Sequence, residues 1–294
     1  MKLSRLFHRH DLKKGIYLVL IAWFLFSTMY MLSKLIGERT TVPTMLFFRN
    51  VMGITLVIPY LVKKRLKAFE IKNWRIVWIR SLLGLINLFL IFMAVKKISL
   101  VNTTLLNNSA PFFVPFVLWF WLKAPINHKM WPAILAGFIG IALIIQPDRQ
   151  IFNLGAAYAL LSGIFLSVNL VLMRLTSKSE NLYSFLLYFF LIGGVITLPF
   201  ALSDWKIDGF STLIALLSIG LLSCLGQVFL YYGMKWGKAQ QLAPFTYSTV
   251  IFSGIYEWLI WGRVPEPIAY VGMVLIIASG IWIVLTSPPQ PKER

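Results

Sequence analysis

The chain alternates long apolar runs with short polar breaks. A spanning helix needs about 20 mostly apolar residues to cross a hydrocarbon core of about 30 Å. Ten runs meet that need, at approximately 15–35, 44–62, 74–95, 99–121, 129–146, 153–173, 182–202, 211–233, 239–261 and 267–285. Charged or turn-forming residues bound them, such as Gly37-Glu38-Arg39, Lys63-Lys64-Arg65, Pro147-Asp148-Arg149 and Pro265-Glu266-Pro267. Apolarity is continuous rather than alternating, which argues against a transmembrane barrel. The first run is longer than the core of a secretory signal, and no small-residue cleavage site follows it, so it reads as a retained helix. The connections leave no room for a catalytic domain.

Shifted by 140 residues, the chain matches itself weakly along its length. The first and sixth runs align through Ser27/Ser167, Leu32/Leu172 and Lys34/Arg174. Gly53 meets Gly193 and Pro59 meets Pro199. Leu85-x-Asn87-x-Phe89-Leu90 meets Leu225-x-Gln227-x-Phe229-Leu230. The expected division is a tail over 1–14, repeats over 15–146 and 147–285, and a tail over 286–294. Five helices per repeat is an odd number, so the second copy must insert upside down. Inverted repeats are a feature of secondary transporters.

Composition agrees with this division. Of 294 residues 59% are hydrophobic and 13% charged, too few charges to cover a soluble surface. One cysteine, Cys224, excludes a disulfide scaffold. The net charge of +18 would suggest nucleic acid in a soluble protein. Sorted by segment, 18 Lys and Arg fall on the side of the termini and six on the other, with Lys34, Arg49, Arg75 and Arg80 in or at the ends of helices. That is a positive-inside bias, expected to put both termini in the cytoplasm and the chain in the cytoplasmic membrane. Topology absorbs the charge, some of it facing anionic lipid, and no nucleic-acid role is expected.

Ionisable groups in lipid are costly and mark function. Of the ten acidic residues only Glu257 lies inside a run, near its outer end, so it is the candidate for coupling to protons. Its alternative role is to pair with a cation, Arg263 being nearby, or to snorkel outward. Arg49, in the second run, and Arg80, in the third, could grip a carboxylate or phosphate, or reach a headgroup. Arg49 and Glu257 at similar depth form a candidate outer gate. The fourth run carries Asn102, Thr103, Thr104, Asn107, Asn108, Ser109, Pro111 and Pro115. The ninth carries Gln240, Gln241, Pro244, Thr246, Tyr247, Ser248 and Thr249. These sets suit either a midplane binding cavity or interhelical hydrogen bonds. Asn87, Gln227, Tyr231 and Tyr232 extend the candidate lining, and Trp23 offers it an aromatic wall. No metalloprotease motif, nucleotide-binding loop or Cys/His cluster occurs, so neither an enzyme, a cofactor nor a metal site is expected.

Short motifs in order add a family likeness. They are Phe47-Phe48-Arg49, Ile79-Arg80, Asn108-Ser109-Ala110-Pro111, Gly137-Phe138-Ile139-Gly140 with Pro147, Ala243-Pro244-Phe245-Thr246-Tyr247 and Trp261-Gly262-Arg263-Val264-Pro265. Together they resemble the drug/metabolite transporter superfamily, in its EamA-type branch, over essentially the whole chain. The pattern is most similar to carriers of amino-acid-like solutes and S-adenosylmethionine. The resemblance implies an all-α membrane fold of ten helices around a central cavity, working by alternating access without ATP. Where family members often carry Gly-Glu at the ends of the fourth and ninth helices, this chain has Leu122-Lys123-Ala124-Pro125 and Gly262-Arg263, so no helix-end acid carries over. The expected function is secondary transport of a small polar, amino-acid-like or zwitterionic metabolite. Its alternatives are a multidrug or metabolite exporter, a facilitative channel and a lipid-precursor flippase. The expected partners are that solute, membrane lipid and protons, with the chain a monomer or homodimer.

Overall fold

The computed structural model describes residues 2–64, 70–122, 128–145, 154–236, 242–264 and 267–286. Gln240, Gln241 and the tail from 287 lie outside them. Among the described residues the fold is helical, apart from an isolated antiparallel bridge between Thr40 and Ile207. The first repeat comprises α1 (Lys2–Leu35), α2 (Val42–Lys64), α3 (Trp74–Val95), α4 (Leu100–Asn107), α5 (Ala110–Leu122) and α6 (Trp131–Ile145). The second comprises α7 (Leu154–Ser179), α8 (Leu182–Ser203), α9 (Phe210–Trp236), a 3-10 turn (Ala243–Tyr247), α10 (Ser248–Trp261) and α11 (Pro267–Thr286). Five of these segments, in α1, α2, α3, α8 and α9, are long and apolar enough to cross a membrane by themselves. The fourth and ninth runs are each broken, which divides their length.

Side-chain chemistry sets the helix starts. Asn73, Ser99 and Asn181 stand before α3, α4 and α8, and each side chain accepts a backbone N–H of the first turn. Gly262, at φ 62°, ends α10 in the left-handed region that glycine tolerates. In the fourth run the chain turns at Asn108–Ser109, just ahead of Pro111, whose missing N–H cannot continue a helix ladder.

The packing obeys the repeat. The main contacts are α1 on α9, α3 on α7, α2 on α8 and α6 on α11. Exchanging the two halves converts α1–α9 into α7–α3 and leaves α2–α8 and α6–α11 unchanged. The likeness reaches single atoms. A Cβ added to Gly53 would lie 2.5 Å from Phe190 Cγ, and one added to Gly193 would lie 2.7 Å from Asn50 Nδ2. Phe190 stands 140 residues after Asn50, so these two contacts are one contact seen from each half. The glycines are there because α2 and α8 approach closely at that level.

The outer surface is apolar. Val195, Phe200, Phe210, Leu259, Val274 and Leu285 are all at least 60% exposed, as expected where lipid replaces water as the solvent. Buried polar groups collect inside instead. The α1–α2 and α8–α9 connections meet at one end of the bundle, where Lys206 Nζ donates to the Glu38 carbonyl at 2.8 Å. At the end of the termini, the Lys72 and Asn73 N–H groups donate to Glu180 at 2.9 and 2.8 Å. Glu180 is thus a second buried carboxylate, at a helix end where hydropathy carries no sign of it.

The close approach of α2 and α8 is testable. Gly53→Val should lower stability by about 1–3 kcal/mol through overpacking, read as thermal unfolding in detergent. Gly254→Val should change little, since its added Cβ would meet only Val101 Cγ2, at 3.9 Å. Equal behaviour of the two variants would contradict the packing.

Candidate functional site

The inverted halves leave a narrow cavity between α1, α2, α3, α7, α8 and α9. It measures about 70 Å³ and is lined by Trp23, Phe26, Met29, Tyr30, Arg49, Arg80, Gly84, Asn87, Leu88, Leu166, Asn169, Leu170, Met173, Phe189, Ser223, Gln227 and Leu230. Ten of these residues form pairs at the 140-residue offset: Phe26/Leu166, Met29/Asn169, Tyr30/Leu170, Arg49/Phe189 and Asn87/Gln227. The cavity therefore straddles the pseudo-two-fold relation. Its volume holds a few waters and falls below the roughly 300 Å³ at which small-molecule sites begin. A solute of metabolite size needs the halves to move apart.

Five of the expected site residues meet here: Trp23, Arg49, Arg80, Asn87 and Gln227. The arginines approach from opposite ends. At 1.5 Å per residue, each lies about 10 Å along its helix from the first residue. Arg49 Nε donates to Ser223 Oγ at 2.7 Å and its Nη1 to Asn50 Oδ1 at 2.9 Å, while Nη2 has no partner among the described residues. Arg80 Nε donates to Asn169 Oδ1 at 3.3 Å. Arg80 is 4% exposed and stacks over Phe185, 3.9 Å from its ring centre, so it faces the bundle interior rather than a headgroup. Asn87 Nδ2 donates to the Ser162 carbonyl at 2.6 Å. The indole N–H of Trp23 is buried without an acceptor among the described residues.

The other expected lining residues lie elsewhere in this conformation. Asn107 Nδ2 donates to Ser162 Oγ at 2.8 Å. Asn108 Nδ2 donates to Thr249 Oγ1 at 2.7 Å and to the Thr104 carbonyl at 2.8 Å. Tyr247 OH donates to the Ile276 carbonyl at 3.4 Å, and its ring packs in the cluster of α4, α5, α6 and α11. Tyr231 OH donates to the Glu180 carbonyl at 3.2 Å, toward the end of the termini, and Tyr232 packs with the α8 cluster. The breaks in the fourth and ninth runs are thus tied to each other through Asn108 and Thr249. Amides so engaged stitch helices together, as polar side chains in lipid commonly do.

The expected pairing of Arg49 with Glu257 does not form. Glu257 is 2% exposed, and its carboxylate accepts from Lys34 Nζ at 3.2 and 3.4 Å and from the Leu100 N–H at 2.7 Å. Lys34 also donates to the Ile98 carbonyl at 3.0 Å and lies 5.1 Å from the Trp261 ring centre. The reason is directional: Arg49 points from α2 toward α8 and α9, whereas Glu257 points from α10 toward α1 and the start of α4. One carboxylate joins the end of α1, the first turn of α4 and α10. Sequence spacing could not reveal Lys34 as the partner, because 223 residues separate the two.

The model of the EamA-like transporter family matches residues 13–146 and 153–286. The pseudopaline exporter CntI of Pseudomonas aeruginosa (strain UCBPP-PA14) is 29% identical, over 92% of this chain and 95% of its own. The S-adenosylmethionine uptake transporter of Rickettsia bellii is 22% identical, over 95% of this chain and 97% of its own. Solute carrier family 35 member G1 of Homo sapiens is 26% identical, over 91% and 78%. A solved crystal structure superposes with a TM-score of 0.61, at 18% identity, over 93% of this chain and 96% of its own, a likeness of fold.

Breaking the Lys34–Glu257 pair from one side should be costly. Glu257→Gln leaves a half-buried ammonium with only the Ile98 carbonyl and should destabilise by about 1–3 kcal/mol, measured by thermal unfolding in detergent. Adding Lys34→Met should recover most of the loss. A single variant as stable as the unaltered chain would show that the pair carries no structural weight.

Proposed function

The chain belongs to the EamA-like transporter family, and on that premise we propose that it is a secondary carrier for a small polar, amino-acid-like or zwitterionic metabolite. It is a multi-pass membrane transporter, not an enzyme. Carriage proceeds by alternating access, the two inverted halves exchanging conformations around the cavity between them. The observation that supports this reading is the cavity itself, on the pseudo-two-fold relation and lined by two arginines, three amides and an indole N–H without an acceptor among the described residues. In lipid such groups are expensive unless they serve a polar solute.

The 18-to-6 distribution of basic residues supports an orientation with both termini in the cytoplasm of a cytoplasmic membrane. The Lys34–Glu257 pair then lies on the outer side, where it latches α1, α4 and α10 together when the cavity is closed to that side. Protons are the candidate coupling ion, taken up by Glu257 when the latch opens and Lys34 withdraws. Arg49 holds the solute rather than the latch.

Two outcomes are expected in proteoliposomes. Labelled solute should show saturable counterflow. Arg49→Lys keeps the charge but loses the two-pronged donor, and should weaken apparent affinity about tenfold, the worth of one strong hydrogen bond. Unsaturable current would indicate a channel instead, and lipid movement without solute movement a flippase. Glu257→Gln should retain counterflow but lose the response to an imposed pH gradient. A gradient response kept by that variant would exclude Glu257 from coupling.

A further inference from the structure

The cavity holds more positive charge than its own walls answer. Arg49 and Arg80 are 1% and 4% exposed, and among the described residues the lining contains no aspartate or glutamate. Among the described residues the hydrogen-bond partners of Arg49 are two neutral oxygens, and Arg80 has one, also neutral. The carboxylates buried in the bundle are engaged elsewhere, Glu257 by Lys34 and Leu100, Glu180 by Lys72 and Asn73.

What surrounds the guanidinium groups is aromatic. Arg80 Cζ lies 3.9 Å from the centre of Phe185, and Arg49 Cζ lies 5.1 Å from the centres of both Phe189 and Phe190. Ring faces attract cations, but they return only part of the cost of taking an ion out of water. A deficit of this kind persists where a ligand removes it. One ring also bounds the spacing: Phe189 is 5.1 Å from Arg49 Cζ and 6.0 Å from Arg80 Cζ. The two cations can be no farther apart than those distances laid end to end, so one small molecule can touch both.

We infer that the cavity binds a solute with two carboxylate groups, one on Arg49 and one on Arg80, with its middle against Trp23, Asn87 and Gln227. This rests on the carrier reading and moves its substrate class from zwitterions to dicarboxylates, acidic amino acids among them. Arg49 Nη2 and Trp23 Nε1, buried without acceptors, are the donors such a solute would occupy. Two anions on two cations leave the loaded cavity neutral, which suits passage through a low-dielectric core. A solute of net positive charge, such as S-adenosylmethionine, would add to the unanswered charge.

The test uses the purified full-length chain and thermal unfolding against succinate, glutarate, adipate and glutamate, each beside its monoamide. At least one diacid should stabilise at a concentration tenfold or more below that of its monoamide. Arg80→Gln should erase that gap, yet unfold without ligand at the same temperature as the unaltered chain or higher, because it removes an unanswered buried charge. Arg80→Lys, which keeps the charge, should retain part of the gap. The inference is overturned if no diacid outperforms its monoamide, or if ligand-free Arg80→Gln and Arg80→Lys both unfold well below the unaltered chain. Counterflow of the same pairs in proteoliposomes separates the two claims. Diacid-selective binding without counterflow would keep the site and remove the carrier; saturable counterflow without diacid preference would do the reverse.

Discussion

An odd number of helices per repeat constrains everything else in this bundle. Two consecutive five-helix copies must lie in opposite senses, so each main contact either maps onto itself or onto its counterpart when the halves are exchanged. Gly53 against Phe190 and Gly193 against Asn50 are the same contact twice. Any space left between the halves must then straddle the pseudo-two-fold relation, and the cavity does. A site so placed is contacted by both halves alike, which is what alternation between two mirrored conformations requires.

Onto this near-symmetric frame the chain places asymmetric charge. Both arginines come from the first repeat, while the second supplies their surroundings apart from Asn50: Asn169, Phe185, Phe189, Phe190 and Ser223. The position equivalent to Arg49 is Phe189, so duplication did not double the cation but set a ring beside it. The opposite solution holds at the latch, where Glu257 is fully answered by Lys34 and a helix N-terminus. Glu257 is thus neutralised within the protein, whereas the two arginines meet no carboxylate among the described residues.

Much of the architecture was legible in the sequence, because lipid makes polarity expensive. Apolar runs marked the helices, and the glycine and amide matches between halves marked the inversion. Trp23, Arg49, Arg80, Asn87 and Gln227 stood out as polar or amphipathic groups where apolar ones are the rule, and the cavity gathers them. The limits have physical causes. Asn107, Asn108 and Tyr247 are polar groups in lipid too, yet their bonds go to Ser162, Thr249 and Ile276, a choice of partner that spacing does not encode. Lys34 sits at a helix end, where a lysine needs no explanation, so its role as partner to Glu257 left no mark. Phe185, Phe189 and Phe190 belong to an apolar helix in which a phenyl ring beside a guanidinium looks like any other.

Everything proposed for transport turns on whether the two unanswered arginines between the inverted halves bind the transported solute. The most direct measurement is an experimental structure of the full chain with a stabilising diacid bound. One carboxylate is expected on Nη2 of Arg49, the other on the guanidinium of Arg80, in a cavity enlarged by movement of the halves. A solute found elsewhere in the bundle, with both arginines still holding only Ser223, Asn50 and Asn169, would contradict it.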